Sequence, residues 1–202
     1  VRGRPLVVEV SRTDVTKRKD VLLEAFAAAR SRVPGALLAL TIDGTNRELR
    51  DRLADRMAEL GLAGSVAVLG SVWEHLPALY SLAEVYCTPS VMEGFGMSAA
   101  EAAAVGTPVV ASRLVPFAVE YLLGEHVSVP VPGAPDLLVG HGAILAEPDT
   151  PAAFGAAVAM LLEEPDLARR MGESARAAVI PELTWDHLTV RFLDQVSAGV
   201  WA

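Results

Sequence analysis

Short apolar runs alternate along this chain with longer stretches in which apolar residues recur every three or four positions. The runs Leu6–Val10, Ala36–Ile42, Ser65–Leu69, Glu84–Thr88, Thr107–Ala111 and Ala143–Leu145 read as strands. Their near-continuous hydrophobicity is that of strands covered on both faces. The intervening segments Arg18–Arg32, Arg47–Leu60, His75–Ala83, Met97–Val105 and Pro116–Leu123 read as helices, and so do Pro151–Glu163, Asp166–Val179 and Trp185–Ala198. Residues 124–142 are broken by Pro and Gly and read as an irregular excursion. Strands alternating with helices predict parallel pairing through right-handed crossovers, hence an α/β, doubly wound sheet of about six strands. Ligands bind such sheets at the carboxyl ends of the strands.

Two turns at that predicted edge carry chemistry. After Glu84–Thr88 the chain reads P89-S-V-M-E-G-F-G-M-S-A-A-E101. Gly94 and Gly96 let the backbone approach a ligand closely, and the Ala-rich helix that follows opens with unpaired N–H groups suited to phosphate or sugar oxygens. Glu93 stands in the turn and Glu101 in the second turn of the helix. After Leu6–Val10 comes S11-R-T-D-V-T-K-R-K-D20. Cations clustered at a helix start oppose the helix dipole, so Arg12, Lys17, Arg18 and Lys19 point to anion binding rather than to helix stability.

Composition narrows the class. The chain has 202 residues, 52% of them hydrophobic, enough for one full core over residues 1–202. The net charge of −8 argues against general nucleic-acid or anionic-membrane binding. The single cysteine, Cys87, allows no internal disulfide, suits a reducing, cytoplasmic compartment and reads as a core residue. His75, His126, His141 and His187 are scattered without metal-ligand spacing, so no metal and no cofactor are expected. The first turn lacks G-x-G-x-x-G, which argues against a dinucleotide-binding enzyme. The chain opens at Val1 almost directly on a core strand, as expected of an excised domain.

The segment E93-G-F-G-M-S-A-A-E101, with G106-T-P-V-V-A-S112 after it, resembles the E-x7-E region of retaining GT-B glycosyltransferases. The similarity is to the family-4 group, which includes sucrose-phosphate-synthase-like proteins. It covers nearly the whole chain. It implies a Rossmann-like fold, the C-terminal half of the two-domain GT-B architecture, with the N-terminal acceptor domain absent from these residues. By that resemblance Glu93 contacts donor-sugar hydroxyls and Glu101 the ribose. Gly94, Phe95, Gly96, Met97 and Ser98 surround sugar and phosphate oxygens, and Arg12 and Lys17 hold the diphosphate. Gly70, Ser71 and Val72 lie beside the nucleobase. Two places depart from the family pattern: D43-G-T-N46 replaces a Gly-x-Gly turn, and R113-L-V-P-F replaces Gly-Gly-x-Pro-Glu, leaving Glu120 without a matching role.

The resemblance implies transfer of a sugar from a nucleotide-sugar donor to an acceptor hydroxyl with retention of anomeric configuration. The donor and an N-terminal domain are the expected partners, and the chain alone is expected to be inactive. Two rival readings share the scaffold: a phosphorylase, which has no need of a ribose clamp at Glu101, and a non-catalytic nucleotide-sugar-binding module.

Overall fold

The computed structural model describes residues 3–70 and 72–199. Six strands are parallel: β1 (Leu6–Glu9), β2 (Leu37–Thr41), β3 (Val66–Leu69), β4 (Val85–Thr88), β5 (Val109–Ser112) and β8 (Ala143–Ala146). Each lies within a residue or so of the run that predicts it. The sheet order is β3-β2-β1-β4-β5-β8-β7-β6. The chain therefore steps outward one way from β1 through β2 to β3, and the other way from β4 through β5. Between β1 and β4 the direction reverses, which opens a crevice above their carboxyl ends.

Residues 124–142 correct the sequence reading. They form an antiparallel hairpin, β6 (Val127–Val131) and β7 (Ala134–Val139), and β7 extends the sheet by pairing antiparallel with β8. Pro130 sits in the outermost strand, and Pro135 precedes the only β7 residues paired to β8, Leu138 and Val139. Prolines are tolerated at such edge positions because no ladder N–H is missed there. The turn uses Gly133 at φ 74. The segment predicted as an α-helix from Pro116 is wound as a π-helix over Ala118–Leu123 and stops at Gly124.

Alternate residues of each central strand feed opposite cores, as a period of two requires. Val7, Leu38, Leu40, Cys87, Val110 and Ile144 pack under α1 (Lys19–Arg32) and α5 (Pro151–Glu163), around Phe26 and Phe154. Leu6, Val8, Tyr86, Val109 and Leu145 pack on the other face with Tyr80, Phe117 and the alanines of α4 (Met97–Ala104). Burial raises the Cys87 thiol far above its usual range, and the residue serves as core. Helices α2 (Arg47–Glu59), α3 (Leu76–Ser81) and α6 (Pro165–Val179) complete the two layers. The last helix, α7 (Trp185–Ser197), buries none of its residues, although Trp185, Phe192 and Leu193 lie on it. Among the described residues no helix is long and apolar enough to cross a membrane.

Candidate functional site

The turn after β1 is held by its neighbour strand. The Ser11 N–H donates to Thr41 Oγ1 (3.0 Å), and the Thr41 hydroxyl donates back to the Ser11 carbonyl (2.8 Å). The Thr13 N–H donates to Asp43 Oδ2 (3.0 Å), and the Asp43 N–H to Thr13 Oγ1 (2.7 Å). Asp43 thus braces this turn, a role the altered D-G-T-N sequence does not announce. The Thr45 hydroxyl and the N–H groups of Thr13 and Thr45 hold its carboxyl down at about 2.

Three consecutive cations leave the turn in different directions. Lys17 closes a 3-10 turn over Val15–Lys17 and reaches across the crevice, its Nζ 2.6 Å from Glu93 Oε1 and 3.3 Å from the Met92 carbonyl. Arg18 adopts the left-handed conformation (φ 48) and pairs with Asp20 at 3.1 Å and with Asp149. Lys19 turns inward and pairs with Glu9; both side chains are almost wholly buried. The left-handed Arg18 separates Lys17 from Lys19, so of these three only Lys17 lines the crevice, together with the exposed Arg12.

The second turn is stitched to the first. The Thr16 carbonyl accepts from the Val91 N–H (2.8 Å) and from the Ser90 hydroxyl (3.2 Å). The Lys17–Glu93 pair therefore spans two elements that are already joined through backbone. Gly96 starts α4 at φ 105, and no side chain caps the helix. A Cβ on Gly96 would meet Val115 Cγ1 at 2.8 Å. Below it the Phe117 N–H donates to the Phe95 carbonyl (2.9 Å), and Phe95 packs on Phe117 and Tyr121. The R113-L-V-P-F departure thus has a structural role. Arg113 pairs with Glu147 (2.5 Å) and donates to the Asp136 carbonyl (2.8 Å), while Phe117 supports the glycine turn. Gly96→Ala combines a forbidden φ with a clash. Its expected cost is about 2 kcal/mol, or about 4–8 °C in Tm for a domain of this size, measured by thermal unfolding.

Glu101 faces the crevice from α4. Its Oε2 accepts from the Tyr80 hydroxyl (3.1 Å), and burial together with the Glu101 charge pushes the Tyr80 pKa strongly upward. Tyr80 is wedged edge-on against Tyr86 at 5.8 Å, so the carboxylate has a fixed support.

These groups share one open cleft of about 590 Å³. Along the carboxyl edge it runs from Gly70, Val72 and Trp73 after β3, past Thr41 at the end of β2 and Asp43 beyond it, to Ser11, Arg12 and Lys17 after β1. It ends at Glu93, Gly94, Phe95, Gly96, Met97, Ser98 and Glu101 after β4. Every residue to which the resemblance gives a donor contact lines it except Ser71, which lies outside the described residues, whereas Arg18 and Lys19 of the basic cluster do not. Glu120 is exposed on the π-helical segment and is not part of the lining. Sequence reasoning missed Thr41, Asp43 and Trp73. The one available signal was a tryptophan in a turn, outside any periodic apolar pattern. Among the described residues no group of three or more His, Cys, Asp or Glu side chains is placed to hold a metal ion.

Comparison with known proteins gives the family and the fold. Residues 1–178 match the family model of the glycosyl transferases group 1. The D-inositol 3-phosphate glycosyltransferase of Nocardia farcinica is 33% identical over 98% of this chain and 42% of its own length. A GDP-mannose-dependent α-(1-6)-phosphatidylinositol monomannoside mannosyltransferase of Mycolicibacterium smegmatis is 30% identical over 96% of this chain and 48% of its own. The chain thus spans about half the length of the curated relatives it matches. Among solved structures, sucrose-phosphate synthase from Thermosynechococcus elongatus superposes with a TM-score of 0.76 at 26% identity, covering 98% of this chain and 46% of that one. The C-terminal domain of a glycosyl transferase group 1 family protein from Francisella tularensis superposes at 0.75 with 18% identity, covering 90% of this chain and 87% of that domain. By sequence and by fold, the chain belongs to the group 1 glycosyltransferases.

Proposed function

We propose that this chain is the donor-binding half of a retaining, nucleotide-sugar-dependent hexosyltransferase, completed by an N-terminal domain that carries the acceptor. The observation that carries the reading is the joining of the β1 and β4 turns above the switch point. It gathers Arg12, Lys17, two glutamates and an uncapped helix N-terminus into one cleft. One relative is GDP-mannose-dependent, which supports a nucleotide-linked hexose donor here.

In this reading the donor diphosphate lies between Arg12, Lys17 and the amides of Gly96–Ser98. Glu93 orients the sugar hydroxyls and Glu101 accepts from the ribose. The acceptor oxygen attacks the anomeric carbon on the face from which the phosphate departs. The carbon–oxygen bond to phosphate breaks, the bond to the acceptor forms, and the departing phosphate oxygen takes the acceptor proton. Negative charge grows on that diphosphate, so fixed cations and amides aimed at it stabilise the transition state more than the ground state. The chain positions groups and balances charge, and the donor is its only small-molecule requirement, without a metal. The unburied apolar residues of α7 suit contact with the second domain, and the setting is cytoplasmic. Alone, the chain binds donor and transfers no sugar, because the acceptor surface and the closure that excludes water belong to two domains.

The test is calorimetry with nucleoside diphosphates, their 2′,3′-dideoxy forms and inorganic pyrophosphate, on the native chain and on Glu101→Gln. Native binding of nucleoside diphosphates is expected. The substitution should weaken ribonucleotides about tenfold and leave dideoxynucleotides and pyrophosphate unchanged. Tyr80 can still donate to the glutamine oxygen, so the fold is retained. Equal response of ribose and dideoxyribose ligands would remove Glu101 from ribose binding.

A further inference from the structure

We infer that Trp73 is the stacking platform for the donor's nucleobase, an inference that rests on the donor-site reading above. Trp73 is 79% exposed, and with Val72 and Leu76 it lines the open cleft. It lies after β3, at the end of the carboxyl edge farthest from Glu93. A donor with its sugar at Glu93, its diphosphate at Lys17 and its ribose at Glu101 directs its base toward that end.

The chemistry of this end favours stacking over ionic recognition. Its wall consists of Gly70, Val72, Trp73 and Leu76. The carboxylate that lines the cleft beside this wall, Asp43, is engaged through both oxygens, with Thr13 on one and Thr45 on the other. The flat face of a base entering here meets an indole and the apolar side chains of Val72 and Leu76.

The backbone that carries the indole is part of an ordered turn. Trp73 opens a 3-10 turn over Trp73–His75 in which the His75 N–H donates to the Val72 carbonyl (2.9 Å). That turn runs straight into α3, whose first residue, Leu76, is buried in the core. The turn and α3 thereby fix where the indole stands on the cleft wall. An exposed apolar side chain standing alone needs no explanation. One on the cleft wall, at the end toward which the base is directed, has one. Trp185, equally exposed, lies on α7 and not on the cleft lining.

Base–aromatic stacking tolerates every base, because each has a π-face. The platform therefore supplies affinity without choosing the base.

The experiment titrates the 202-residue chain and its Trp73→Ala and Trp73→Phe variants with GDP, UDP, the matching monophosphates and inorganic pyrophosphate. Trp73→Ala should weaken all four nucleotides about tenfold, leave pyrophosphate binding unchanged and leave Tm unchanged. Trp73→Phe should stay within about threefold of the native chain, since it keeps an aromatic face. Nucleotide binding that survives Trp73→Ala intact would overturn this inference alone and indicate that the indole meets the second domain. Weakening of pyrophosphate to the same degree would also overturn it, by making the effect one of turn structure. A native chain that binds no nucleotide would overturn the donor-site reading and this inference together.

Discussion

Lys19→Met should destabilise the chain by about 3–5 kcal/mol, read as a lowered urea midpoint and a Tm lower by about 10 °C or more. The side chains of Glu9 and Lys19 are each 1% exposed, and Glu9 Oε1 has no hydrogen-bond partner. Lys19 Nζ also donates to the Ser11 hydroxyl (2.9 Å), which ties the end of β1 to the start of α1. Methionine fills much the same space but leaves a carboxylate buried without its countercharge, and desolvation of that charge dominates the loss. The double change Glu9→Met with Lys19→Met removes both charges and should recover most of the stability, because a buried pair contributes little net energy against apolar groups of similar size. The same experiment separates two roles for the basic cluster. If Lys19 were a phosphate ligand, Lys19→Met would weaken nucleotide binding and barely move the midpoint.

The parallel sheet was legible because β1, β2, β4, β5 and β8 are buried on both faces and so appear as continuous apolar runs, while the more exposed edge strand β3 is an apolar run as well. The hairpin 127–139 was not, because Pro130, Pro132, Gly133 and Pro135 carry the signature of a loop. Only an edge position, which a sequence does not reveal, makes those prolines compatible with strands. In the site, Glu93, Gly96 and Glu101 were legible from one contiguous segment with a recognisable spacing. The destinations of Lys17, Arg18 and Lys19 were not. They are set by the left-handed backbone at Arg18 and by a carboxylate, Glu9, embedded in an apolar strand whose pattern reads as pure core. Asp43 escaped notice for a related reason: its partner Thr13 is 30 residues away, and only sheet pairing brings them together.

Glu93→Gln should change two measurements in opposite directions. The Lys17 ammonium lies 2.6 Å from Glu93 Oε1, with side chains 10% and 19% exposed, so the carboxylate competes for the cation that a diphosphate would engage. It also adds a negative charge beside an anion site. Unit charges about 5 Å apart at an effective dielectric near 20–40 interact by about 2–3 kcal/mol, which screening by salt reduces to about 1 kcal/mol. Neutralising Glu93 should therefore tighten binding of a free nucleoside diphosphate about fivefold at physiological salt, and more at low salt. In the two-domain protein the same change should lower sugar transfer by at least about 100-fold, because the carboxylate that orients the sugar hydroxyls is lost where alignment governs the barrier. Lys17→Ala is the counterpart. It should weaken diphosphates by about 10–100-fold, leave nucleosides unaffected, and reduce transfer through the charge that builds on the leaving group. Calorimetry at two salt concentrations and initial transfer rates distinguish the roles. If Glu93→Gln weakened the diphosphate and the nucleotide-sugar alike, with no salt dependence, Glu93 would act as a brace for the glycine turn through Lys17 and would not be the sugar-contacting group.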